Sequence, residues 1–93
     1  MKFEREGNGF VHRDENGKII AEITFMPVDE KTVIADHTFV DAVLRGQGVA
    51  EKLLDYLVQE MKAEGKQIKA QCSYVVKKFD EEPEKYDAIN ADK

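Results

Sequence analysis

From Lys18 to Phe25 the chain alternates. Ile19, Ala21, Ile23 and Phe25 fall on one side, Lys18, Glu22 and Thr24 on the other, and Ile20 is the one apolar residue among the polar set. A period of two is what a strand with one buried face requires. Residues 9–13 upstream read as a strand of their own. Asn16-Gly17 between the two predicts a hairpin with a type I′ turn, because both residues tolerate positive φ. Residues 27–30, led by Pro27, supply the next turn. Residues 31–40 then read as a third strand, with Val33, Ala35, His37 and Phe39 on one face and Thr32, Ile34, Asp36, Thr38 and Val40 on the other. Three strands joined by short turns predict an antiparallel meander.

At Val49 the period changes. Val49, Ala50, Leu53, Leu54, Leu57, Val58 and Met61 form a helical stripe, and Glu51, Lys52, Asp55, Gln59, Glu60 and Lys62 take the other side. Gly65 predicts the stop. Residues 67–72 read as a short strand with Ile68, Ala70 and Cys72 on one face. It follows the third strand by one helix, so the right-handed crossover rule makes the two strands parallel neighbours. Residues 73–79 read as a short helix and 83–89 as another. The order β-β-β-α-β-α defines an α+β, sandwich-like fold: a small sheet with its main helix on one face, one domain over residues 1–93.

The junction between third strand and helix is unusual. The stretch Val43-Leu-Arg-Gly-Gln-Gly-Val-Ala-Glu-Lys-Leu-Leu54 enters a helix without Ser, Thr, Asp or Asn to accept the free N–H groups of the first turn. Glycines let such a loop converge its amides, and a helix N-terminus adds partial positive charge, so the arrangement suits phosphate oxygens. A glycine-rich connector with water on its donors fits the same letters. The Gly-Lys-Ser/Thr ending of a P-loop is absent, and so is the third glycine of a dinucleotide fingerprint.

Composition narrows the classes. No apolar run is long enough to span a membrane, and the N-terminal residues lack the apolar core of a signal peptide. A single cysteine, Cys72, excludes an internal disulfide and fits a reducing, cytoplasmic setting. His12 and His37 stand alone, a poor metal set, so no metal is expected. The net charge of −5 sits mainly in residues 80–93, where six acids face two lysines, leaving 13 acids against 12 bases in the body. No clustered basic excess points to nucleic acid. The acidic C-terminal segment reads as a solubilising tail.

Arg45-Gly46-Gln47-Gly48-Val49-Ala50 matches the Arg/Gln-x-x-Gly-x-Gly/Ala signature of the GNAT acetyltransferases, and the flanking elements fit as well. More narrowly, His37-Thr38, Val40, the glycine loop and Cys72-Ser73-Tyr74-Val75 resemble small single-domain YjdJ-like GNAT proteins, over most of residues 10–80. The resemblance implies a minimal GNAT fold with a V-shaped opening between the third strand and the strand ending at Cys72. It implies that acetyl-CoA is the cosubstrate, with its pyrophosphate on the amides of residues 45–50 and its pantetheine arm beside Phe39 and Val40. The cofactor itself would then replace the missing cap. The two early helices and final strand pair of larger GNAT enzymes have no counterpart, which leaves the acceptor pocket undefined.

Cys72 sits at a strand end just before a helix, where the N-terminus favours the reactive thiolate, although free cysteine is often a buried hydrophobe. His37, sharing a face with Val33 and Ala35, reads as a buried, hydrogen-bonded histidine or as a general base. Tyr74 is a candidate proton donor to departing CoA, and Lys77 and Lys78 are candidate phosphate contacts, although lysines at helix ends are usually solvated. Two mechanisms stay open: direct attack by an amine deprotonated by His37, and a covalent route in which Cys72 takes the acetyl group first. A non-catalytic CoA-binding module is the alternative to an N-acetyltransferase acting on an unidentified amine. Either is expected as a monomer or weak dimer.

Overall fold

The computed structural model describes all of residues 1–93 and places five strands in one sheet, side by side in chain order. They are β1 (Glu4–Arg5), β2 (Gly9–Arg13), β3 (Ile19–Pro27), β4 (Thr32–Val40) and β5 (Gln67–Ala70). β1 to β4 run antiparallel and β5 joins β4 in parallel, as the crossover rule requires. The connecting helix is α1 (Val49–Ala63), and α2 (Ser73–Glu81) and α3 (Pro83–Tyr86) follow β5. β1, two residues long, leaves no trace in the sequence pattern.

One apolar layer holds these elements together. Leu53, Leu54, Leu57, Val58 and Met61 of α1 share a buried cluster with Phe10 of β2, Ile23 and Phe25 of β3, Val33 of β4 and Ile68 of β5. Each fully buried side chain of this kind is worth about 1.5–3 kcal/mol relative to exposure. The helix ends where Gly65 predicts. Gly65 adopts φ 72°, its N–H bonds the carbonyl of Lys62, and the Lys66 N–H reaches back to Met61, which together satisfy the last carbonyls.

Three expectations are corrected. The hairpin turn is not type I′: only Gly17 has positive φ. Asp14 organises the loop instead, its carboxylate accepting the N–H groups of Asn16 and Lys18 at 2.9 and 3.0 Å. The C-terminal segment is not merely a solubilising tail. Tyr86 and Ile89 are 1% and 3% exposed and belong to the core, and Ile68 exchanges main-chain bonds with residues 89 and 91 along the outer edge of β5. Apart from half-buried Glu82 the acids around them are exposed, so the sequence shows a charged run while the fold uses its few apolar members.

The third correction matters most. Thr24 lies opposite His37 and Phe25 opposite Ala35, so Asp36 is an extra residue in β4. Its carboxylate accepts the Thr24 hydroxyl at 2.6 Å. A bulge shifts the alternation by one, and every later side chain changes face. Val33 and Ala35 point to α1 as expected. Beyond the bulge Thr38 and Val40 take that side, opposite Ile23 and Ala21, while His37 and Phe39 are exposed on the far side. The buried histidine expected at position 37 is therefore a surface residue.

Candidate active site

The bulge also opens the sheet. β4 and β5 pair only from Thr32–Ala35 to Gln67–Ala70. The carbonyl of Ala35 accepts the N–H groups of Gln71 at 3.1 Å and Cys72 at 2.9 Å, and past this point β5 has ended and the chain turns into α2, leaving β4 unpaired on that side. The Asp41 N–H bonds Ile20 at 2.8 Å, which fixes the antiparallel alternation. Phe39 and His37 therefore turn their main-chain groups to β3, and Thr38 and Val40 turn theirs into the opening.

At the head of the opening stands the N-terminus of α1. Gly46 and Gly48 adopt φ of 81° and 69°, a left-handed conformation that favours glycine. Gly48 is the N-cap and offers no side-chain cap. The first helical bond runs from the Lys52 N–H to the Gly48 carbonyl, so the N–H groups of Gly46, Gln47, Gly48, Val49, Ala50 and Glu51 have no protein acceptor. A Cβ added at Gly46 or Gly48 would meet nothing within 4 Å. Both glycines serve backbone shape, and the space in front of them is open. A cleft of about 300 Å³ lies there, with Val40, Leu44, Arg45, Val49 and Tyr74 among its walls. Asp41 braces the approach, its carboxylate accepting the Val43 N–H at 3.0 Å.

Cys72 is the N-cap of α2 and is half-buried. Its Sγ lies 3.5 Å from the Thr38 hydroxyl, so the two residues face each other across the opening from its two arms. Thr38 and Val40 are two residues apart on one face, about 7 Å along a strand, which places the thiol a short way below the cleft wall. Tyr74 is half-buried in the first turn of α2, and burial pushes its phenol above the ordinary value, so the hydroxyl keeps its proton at neutral pH.

The structure thus gathers Val40, Arg45, Gly46, Gly48, Val49, Ala50 and Tyr74 around one cleft, with Cys72 beside it. Gln47 is exposed at the loop tip, contributing its amide. It does not bring in the side chains of His37 or Phe39, which face away, or Lys77, which is exposed on α2 outside the cleft. Thr38, Leu44 and Glu51 are the site residues that sequence reasoning missed. Leu44 and Glu51 flank the glycine loop and were within reach of a local argument; Thr38 was hidden by the bulge.

A glycine-entered helix without a side-chain cap thus stands beside the β4–β5 pair of an α+β fold. The model of the GCN5-related N-acetyltransferase family matches residues 9–89, and the chain belongs to that family. It is accordingly an acyltransferase by class, and the minimal fold expected from the sequence is the one observed. A GCN5-like N-acetyltransferase-family protein of Staphylococcus aureus, solved by NMR, is 32% identical, with 96% of this chain and 86% of that chain covered and a TM-score of 0.76. The GNAT family N-acetyltransferase YhbS of Escherichia coli, crystallised with CoA, is 27% identical over 64% of this chain and 37% of its own, TM-score 0.58. An acetyltransferase of Bacillus cereus is 26% identical over 64% of this chain and 43% of its own, TM-score 0.57. The chain therefore spans less than half the length of these two larger enzymes. No curated protein sequence matches it. No helix is long and apolar enough to cross a membrane.

Proposed function

We propose that this chain transfers an acetyl group from acetyl-CoA to an amine, with Cys72 as the nucleophile that first accepts it. The observation that carries the reading is the run of unpaired amides from Gly46 to Glu51 at the cleft. Converging N–H groups at a helix N-terminus suit a pyrophosphate, and the apolar wall of Val40, Leu44 and Val49 suits a pantetheine arm running toward Thr38. The CoA-bound E. coli relative supports the same cosubstrate. Arg45 adds a cation at the rim.

In this reading Cys72 gives its thiol proton to solvent as its sulfur attacks the thioester carbonyl carbon. A carbon–sulfur bond forms to Cys72, the bond to the CoA sulfur breaks, and the departing CoA thiolate takes a proton from Tyr74, which regains one from solvent, or directly from water. The amine then attacks acetyl-Cys72, releasing the product amide and restoring the thiol with the proton the amine loses. Thr38 holds the thiol between the two arms of the opening. His37 faces the opposite side of the sheet and takes no part.

CoA binding is the first test. A ligand present at a hundredfold excess over its dissociation constant stabilises the native state by about 2.7 kcal/mol. For a domain of this size the melting temperature should rise by roughly 10–20 °C in a thermal scan. Adenine nucleotides, lacking the pantetheine, should shift it less. A melting curve unmoved by millimolar CoA would remove the cosubstrate from this cleft.

A further inference from the structure

Glu51 poses a problem for an anion site. It lies in the first turn of α1, lines the cleft, and its own N–H belongs to the unpaired run. A carboxylate there repels any phosphate that approaches. Two cations from the C-terminal part of the chain occupy it. Lys78 of α2 brings Nζ to 3.4 Å of one carboxylate oxygen, and Lys85 of α3 brings Nζ to 3.5 Å of the other. Lys78 is further held by Glu82, one turn on, and Lys85 by Asp55 at 3.3 Å and by the face of the Tyr86 ring. Asp55 in turn accepts the Tyr86 hydroxyl at 3.2 Å.

Partly exposed ion pairs of this kind add little to folding stability. Their placement has a different consequence. We propose that Lys78 and Lys85 act as counter-charges on Glu51, so that the C-terminal helices set the affinity of the amide cradle for its anionic cosubstrate. Both lysines act through Glu51, as positioning residues. The argument is Coulombic: a bare carboxylate at the mouth opposes the phosphates, and a carboxylate drawn to two ammonium groups opposes them less. The hydrogen bond from Lys78, helped by the charge of Lys85, also keeps the Glu51 carboxyl below the usual carboxylate range, so it remains ionised and the counter-charge is needed throughout the neutral range. The segment that reads in sequence as an acidic tail is thereby a working part of the cosubstrate site.

The inference rests on the cosubstrate reading above, and a double-mutant cycle separates the two. CoA and inorganic pyrophosphate are titrated calorimetrically into the full-length wild type, Glu51→Gln, Lys78→Met and the double variant, at low and high salt. Glu51→Gln should bind CoA about fivefold more tightly at low salt. Lys78→Met should bind about fivefold more weakly, but lose less than about twofold in the Glu51→Gln background. All differences should shrink at high ionic strength. Lys85→Met supplies the same cycle from α3 should Lys78→Met fail to fold. A Glu51→Gln protein with unchanged or weaker affinity, or a lysine variant that costs the same with and without Glu51, overturns the inference while leaving the cradle in place. A wild type that binds neither ligand refutes the cosubstrate reading itself.

Discussion

Gly48→Val should abolish CoA binding, and Gly65→Val should not. The two glycines sit at opposite ends of α1 with nearly the same backbone, φ 69° and 72°, and a Cβ added at either meets no protein atom within 4 Å. A β-branched residue in the left-handed region costs about 1–2 kcal/mol or somewhat more at both sites. Stability loss is therefore matched, and binding is the variable. At Gly48 the new side chain stands in the open space before the amides. Losing two charge-assisted hydrogen bonds, each worth about 1.5–3 kcal/mol, lowers affinity more than a hundredfold. At Gly65 it stands about 25 Å away along the helix, from a rise of 1.5 Å per residue. Calorimetric titration of both variants, with circular dichroism as the fold control, reads the difference. Normal CoA affinity in a folded Gly48→Val protein would place the phosphates elsewhere.

Cys72→Ala should keep CoA affinity and lose transfer. Wild type incubated with acetyl-CoA should carry one acetyl group, located on Cys72 by intact-mass and peptide analysis, and the variant should carry none. Bound CoA should also protect the thiol from iodoacetamide. The stability cost of the substitution is small, roughly 1 kcal/mol for one group of CH₂ size. A variant that acetylates an amine at the wild-type rate would instead assign the reaction to direct transfer. Wild type that binds CoA, gains no adduct and turns over no amine would be a CoA-binding module.

Local demands on the backbone were the legible part of this chain. The helical stripe from Val49 to Met61 and the stop at Gly65 follow from spacing and from glycine's tolerance of positive φ. The cradle was legible for the same reason: an amphipathic stripe that begins after Arg-Gly-Gln-Gly leaves its first amides without a cap in any fold. What escaped was set by pairing between segments. Asp36-His37-Thr38 continues an unbroken alternation, and only the register against Thr24 and Phe25 reveals the extra residue. The faces of His37, Thr38, Phe39 and Val40 were inverted as a result, which hid Thr38 as the neighbour of Cys72. Tyr86 and Ile89 were lost among acids because two apolar positions carry no period. Tyr86 packs against Phe79 of α2 and reaches Asp55 of α1 with its hydroxyl, and the Ile89 carbonyl accepts the Ile68 N–H of β5, contacts that no local pattern announces.

The central claim is that the free amides at the head of α1 hold the cosubstrate. Titrating CoA into the ¹⁵N-labelled protein tests it residue by residue. The amide resonances of Gly46, Gln47, Gly48, Val49, Ala50 and Glu51 should move most, with Thr38 and Val40 following as the pantetheine arm settles along β4. Saturable CoA binding that leaves those six amides unmoved would contradict the account.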